Sequence, residues 1–193
     1  MIRLGLTGSI GMGKSTIAQM FRDEGLAIWD ADACVHALYE HSAPLQQALC
    51  EAFGQVMTKG HIDRLKLSQA LKQRPDGFAA LNALVHPLVV ADRKAFEQGH
   101  KYDRLVIIDI PLLFETGVEN EVEKILVVTA PYALQAERVL SRPTMSKERF
   151  DMILAQQVPD QIKRAKADFI IDTSKSLEDS RQAVRAIIAT LLA

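Results

Sequence analysis

Gly8-Ser9-Ile10-Gly11-Met12-Gly13-Lys14-Ser15-Thr16 fits the pattern G-x-x-x-x-G-K-[ST] at Gly8, Gly13, Lys14 and Ser15. The residues before it, Ile2 to Thr7, are mostly apolar and read as a short buried strand. Those after it, Thr16 to Glu24, place Ile17, Met20 and Phe21 on one helical face. A strand, this loop and a helix in that order form the setting in which the pattern holds phosphate. Glycines let the backbone wrap tightly, so that successive N–H groups aim at one anion. The helix adds its free N–H groups and the positive end of its dipole. Lys14 reaches the β- and γ-phosphates, and the Ser15 hydroxyl is a ligand for Mg²⁺. The stretch therefore predicts a site for a nucleoside triphosphate, without specifying what is done with it.

Working outward, 193 residues suit one compact domain with room for an insertion. Apolar residues make up 48% of the chain, enough for a core, and charged residues 24%. The formal net charge of −1 argues against a general nucleic-acid binder, although a local basic patch can still hold phosphates. No apolar run is long enough to span a membrane. The N-terminus enters a strand at once, which leaves no signal peptide and predicts a cytoplasmic protein. Cys34 and Cys50 lack a metal-binding or redox spacing and are expected as free thiols.

Gly25 suits the end of the first helix. Leu26 to Trp29 reads as a second strand, followed by Asp30-Ala31-Asp32. Ligands of open parallel sheets gather at the carboxyl ends of the strands, so both carboxylates are well placed to meet a substrate. Either one also suits the cap of a helix over Ala33 to Tyr39. Ser42-Ala43-Pro44 opens another helix that ends at Gly54, Thr58-Lys59-Gly60-His61 is a polar turn, and Asp63 caps a short helix through Leu71. Phe78, Leu81, Leu84 and Val85 have helical spacing and read as core. His86-Pro87 is expected to break that helix before a new one over Leu88 to Gln98. Residues 33–101 thus form a helical block larger than one crossover needs, read as an insertion that makes a substrate pocket or lid.

Arg104 to Ile110 is the clearest buried strand, with Asp109 near its end. Glu115 follows, read as an exposed loop acid unless the loop has a role. Lys124 to Thr129 and Asp168 to Asp172 are the fourth and fifth strands. Between them lie Arg138, Arg142, Lys147, Arg149, Lys163, Arg164 and Lys166 on helical segments. A basic helical hairpin late in such a chain suits a lid over phosphates, here 138–166. Ser176-Leu177-Glu178-Asp179 predicts a capping box, and Val184, Ile187, Ile188 and Leu191 a stripe that docks the last helix. The expected fold is α/β: a P-loop NTPase with a five-stranded parallel sheet, helices on both faces, a helical acceptor-binding insertion and a helical lid. The absence of N-K-x-D weakens a GTPase reading, which leaves phosphoryl transfer to a small molecule. A kinase for another small acceptor and a non-catalytic nucleotide-binding module are the other readings.

Further matches make the chain similar to the dephospho-CoA kinases. They are L-T-G-S-I-G-M-G-K-S-T at Leu6 to Thr16, D-A-D at Asp30 to Asp32 with His36 four residues on, and F-G at Phe53-Gly54. D-R at Asp63-Arg64, H-P at His86-Pro87, D-I-P-L-L-F-E at Asp109 to Glu115 and A-D-F-I-I-D at Ala167 to Asp172 complete the set. They span nearly the whole chain in the family's order. Ser9, Met12 and Lys59 depart from the family's usual Gly, Ser and Asp, and the lid segment Arg142-Pro143-Thr144-Met145 is shorter on glycine than in many relatives. The resemblance implies a single kinase domain over 1–193, phosphorylating the ribose 3′-hydroxyl of dephospho-CoA with ATP and Mg²⁺ in the last step of coenzyme A synthesis. It implies Asp32 and Lys14 as catalytic residues, with Arg138 and Arg142 acting from the lid. ATP would lie on Gly8, Gly11, Met12, Gly13, Lys14, Ser15 and Thr16, with Mg²⁺ on Ser15. Dephospho-CoA would meet Thr7, Asp32, His86, Asp109 and Leu112. The implied protein is a monomer or weak homo-oligomer whose partner is a small molecule, with no nucleic acid or membrane involved.

Overall fold

The computed structural model describes residues 1–193, which divide into two compact units, 1–30 with 100–193 and 31–99. The first unit is built on five parallel strands: β1 (Ile2–Thr7), β2 (Ile28–Asp30), β5 (Leu105–Asp109), β6 (Lys124–Thr129) and β7 (Phe169–Asp172). Their order across the sheet is β2-β5-β1-β6-β7, so β1, which leads into the loop, lies in the middle between β5 and β6. All of β5 is buried, as a run covered on both faces must be. Leu105 and Ile107 join Leu4, Leu6, Leu126 and Val128 in a core closed by α1 (Lys14–Asp23) and α9 (Leu177–Leu192). Ile17, Met20 and Phe21 are the α1 side chains in it, and Val184 and Ile187 come from α9. The opposite face carries α8 (Asp160–Ala165), tied on by Thr129 Oγ1, which donates to Asp160 Oδ2 at 2.9 Å. The expected parallel α/β sheet is present.

The helix ends follow their local chemistry. After α1, Gly25 adopts φ +82°; its N–H donates to Arg22 and that of Leu26 to Phe21, the paired bonds of a Schellman motif. Before α9, Ser176 and Asp179 form the expected reciprocal capping box.

The second unit comprises α2 (Ala31–His41), α3 (Ala43–Phe53), α4 (Arg64–Lys72) and α5 (Gly77–Gly99) around Leu45, Leu49, Leu67, Leu71 and Val85. Ser42 caps α3 and Asp63 caps α4, both as expected. Two expectations fail here. The chain does not break at Pro87: α5 runs through it from Gly77 to Gly99. Proline removes one N–H and crowds the preceding turn, but Leu81, Leu84 and Val85 before it and Leu88 and Val89 after it all pack on the same cluster. Burial on both sides of the proline holds the helix together. Phe78 is not core but 64% exposed, one turn ahead of the buried part of the stripe.

The polar turn is, in addition, the tip of a small antiparallel hairpin, β3 (Met57–Thr58) with β4 (His61–Ile62). Lys59 and Gly60 have φ +52° and +86°, the sign pattern of a type I′ turn, which favours Asn-Gly or Asp-Gly. A lysine there is strained by roughly 1 kcal/mol. Lys59→Asn is expected to stabilise the protein by about that amount, a rise of roughly 2–4 °C in thermal midpoint at this chain length. A midpoint equal to or below that of the parent would contradict the strain argument.

Candidate active site

The loop of residues 8–13 leaves β1 at the carboxyl edge of the sheet. Gly11 has φ +80°, and a Cβ there would lie 2.5 Å from Val139 Cγ2 and 3.0 Å from the Gln135 carbonyl. Gly13, with φ +89°, is the N-cap of α1. Both positions exclude an ordinary side chain, by backbone conformation and, at Gly11, also by space. The N–H groups of Gly11, Gly13, Lys14 and Ser15 find no acceptor in the protein. Unused donors around a helix N-terminus make a cradle for an anion. The Ser15 and Thr16 side chains are exposed at the same end, and neither hydroxyl is hydrogen-bonded within the protein.

Lys14 Nζ donates to Asp109 Oδ1 at 2.6 Å. Asp109 is 1% exposed and the Lys14 side chain 17%, so the carboxylate holds the ammonium at the loop from the protein side. In the sheet register Asp109 pairs with Leu6 of β1 and Asp30 of β2, which puts two carboxylates next to each other on neighbouring strand ends.

Two residues expected to meet ligands serve the scaffold instead. Thr7 is fully buried, and its hydroxyl donates to the Pro111 carbonyl at 3.0 Å, joining β1 to the loop after β5. Met12 is buried in the core; its N–H donates to Ser9, and its sulfur accepts the Ala130 N–H. Leu112, on the loop held by Thr7, is exposed.

The sequence gives no sign of the residues that brace the loop from behind. Thr173, just after β7, donates its hydroxyl to the Met12 carbonyl at 2.8 Å. Arg138, on α6 (Tyr132–Leu140), donates to Thr173 Oγ1 at 2.8 Å and to the Thr173 carbonyl at 2.9 Å. Gln135 Nε2 donates to the Ile10 carbonyl at 2.7 Å, and the Ile10 N–H donates to Gln157 Oε1 at 3.1 Å. Arg138 is thus placed behind the loop. Arg142, beyond the end of α6, is exposed and its guanidinium has no partner within the protein.

Most other bases of the 138–166 segment are already engaged. Lys147 on α7 (Lys147–Gln156) pairs with Asp151, Arg164 with Asp160 and Lys166 with Glu119. Lys163 is wholly buried, 2.8 Å from Glu115 Oε1, in an ion pair that lacks the alignment of a hydrogen bond. Glu115 is therefore not an exposed loop acid. It also accepts the Val158 N–H at 2.8 Å.

In the second unit Asp32 lies in the first turn of α2, exposed and with no side-chain partner. His86 is exposed in the middle of α5. Both cysteines are free thiols. Burial, reinforced by a hydrogen bond to Asp92, pushes the Cys34 thiol up to about 12, so it is unreactive at neutral pH.

The family profile described as dephospho-CoA kinase matches residues 2–179. A Rhizobium meliloti (strain 1021) protein named dephospho-CoA kinase is 50% identical over 197 residues and covers 100% of both chains. Among solved structures, TT1252 from Thermus thermophilus is 34% identical with a TM-score of 0.84, covering 98% of this chain and 97% of that one. A dephospho-CoA kinase from Campylobacter jejuni is 27% identical with a TM-score of 0.73, covering 97% and 95%. A loop of unused N–H donors on a five-stranded parallel sheet and full-length similarity to these proteins lead to one assignment: the chain belongs to the dephospho-CoA kinase family.

Proposed function

We propose that the protein transfers the γ-phosphoryl group of ATP to the ribose 3′-hydroxyl of dephospho-CoA, giving ADP and coenzyme A in the cytoplasm. The observation that carries this reading is the cradle: four unused N–H groups at the start of α1, beside a lysine held in place by a buried aspartate.

In this reading the N–H groups of Gly11, Gly13, Lys14 and Ser15 bind the β- and γ-phosphate oxygens. Gly8 and Met12 act through the backbone shape they give the loop, and Thr16 stands at its exposed rim. Lys14 neutralises charge on the phosphates as the bond to the leaving ADP breaks. Ser15 fits a magnesium ion carried in with ATP. Its hydroxyl is free, and magnesium takes most of its ligands from phosphates and water, so no dedicated cluster of protein ligands is needed. When bound, that ion draws negative charge away from the β- and γ-phosphates.

Asp32 accepts the proton of the 3′-hydroxyl as its oxygen bonds to phosphorus. A carboxylate suits this work, because the transition state is loose and the proton leaves late. Asp109, His86 and the loop bearing Leu112 place the acceptor, with Thr7 fixing that loop. The helical unit 31–99 serves the acceptor side. Arg142 has a free guanidinium to offer the phosphates; Arg138 supports them indirectly, by fixing Thr173 against the loop.

The test is ADP release from ATP and magnesium with dephospho-CoA, adenosine monophosphate or shikimate as acceptor. Strong stimulation by dephospho-CoA alone is expected. Stimulation by another acceptor alone would keep the kinase and overturn the substrate, and silence with all three would favour a nucleotide-binding module.

A further inference from the structure

The joint between α7 and α8, Gln157-Val158-Pro159, is held from two directions. The Ile10 N–H of the nucleotide loop donates to Gln157 Oε1 at 3.1 Å. One residue on, the Val158 N–H donates to Glu115 Oε1 at 2.8 Å. Glu115 lies in the connection that leaves Asp109 at the end of β5, and it also faces the buried Lys163 ammonium of α8. The joint therefore touches both the loop that cradles phosphate and the loop that starts from the carboxylate holding Lys14.

The helices on either side of the joint differ. α8 is fixed to the body through Lys163 and through Asp160, which accepts from Thr129 at the end of β6. α7 buries only Phe150 outright, stacked on Tyr132 at 6.1 Å between centroids. Its charged groups bond locally: Lys147 to Asp151, and Arg149 to the Thr144 carbonyl. The unpartnered Arg142 precedes it.

We infer that Gln157 and Glu115 are positioning residues: they register the α7–α8 joint on the nucleotide loop, so that residues 142–156 act as the lid while α8 belongs to the body. This narrows the 138–166 lid expected from the sequence, and it rests on the kinase reading above. The physical reason is register. An arginine that meets charge on a transferring phosphoryl group must arrive within a fraction of an ångström, and a joint tied to the phosphate loop itself delivers that reference. Gln157 touches no phosphate in this scheme. Its loss should disturb the transition state more than the binding of ATP.

Gln157→Leu removes the acceptor for the Ile10 N–H, whereas Gln157→Glu keeps an acceptor oxygen at the same reach. The Leu variant is expected to lose about tenfold in kcat, with KM for ATP within about twofold of the parent. The Glu variant should recover most of that loss. Amide hydrogen exchange of the Leu variant should quicken along α7 and stay unchanged in α8. Parental kcat in the Leu variant, a Glu variant as impaired as the Leu variant, or equal quickening of both helices would overturn the proposal. If Gln157→Leu does not fold, Gln157→Ser, polar but too short to reach Ile10, takes its place with the same expected results. The exchange measurement is readable whether or not the parent responds to dephospho-CoA, so a failed substrate assignment is told apart from a failed positioning role.

Discussion

Asp32→Asn is expected to lower kcat at least about a hundredfold while leaving ATP affinity nearly unchanged. The side chain keeps its size, so the effect isolates the loss of a proton acceptor. Asp32 is exposed in the first turn of α2 and bonds to no other side chain, so the substitution breaks no scaffold contact and the thermal midpoint should hold. That separates it from Asp30, two residues earlier, which is the last residue of β2 and sits in register beside Asp109. Either carboxylate of Asp-Ala-Asp suits a catalytic role from sequence position alone. Steady-state kinetics with dephospho-CoA, alongside direct titration of ATP, decides the matter. Near-parental turnover would move the base to another residue, and a matching loss of ATP affinity would make Asp32 a nucleotide ligand.

What the sequence reveals of this protein follows from how local each signal is. The strand-loop-helix at Ile2 to Asp23, the caps at Ser42, Asp63 and Ser176, and the apolar run of β5 are each decided by a few adjacent residues, and the structure has them in place. Pro87 was misleading because the local rule is correct in isolation, while packing on both sides of the proline outweighs it. Lys163 reads as one more surface base; only the three-dimensional approach of Glu115, 48 residues earlier in the chain, makes it buried. Thr173, Gln135 and Gln157 brace the loop from distances of 125 to 161 residues along the chain and have no sequence signature, since a threonine or glutamine in a connection looks the same whatever it touches. The anion cradle is local and legible. The parts that hold it rigid are remote and are not.

Lys14→Met carries the second large effect, and it combines two losses that a double variant separates. The first is catalytic. Without the ammonium, the charge that builds on the phosphates has lost its main side-chain partner in the cradle, and kcat/KM for ATP should fall about a thousandfold. The second is structural. Asp109 is almost fully buried, and its Oδ1 accepts from Lys14 at 2.6 Å. Removing one partner of such a pair while the other stays charged typically costs about 3 kcal/mol. Lys14→Met should therefore lower stability as well as activity, an unusual result for a residue whose work is on a ligand. Adding Asp109→Asn removes the charge that Lys14 no longer balances while keeping the shape. The double variant is expected to regain most of the lost stability in denaturant unfolding and none of the activity. Equal stability of the single variant and the parent would mean that the Lys14–Asp109 contact adds nothing to folding. Activity regained in the double variant would mean that the single variant failed by unfolding, and would take Lys14 out of the chemistry.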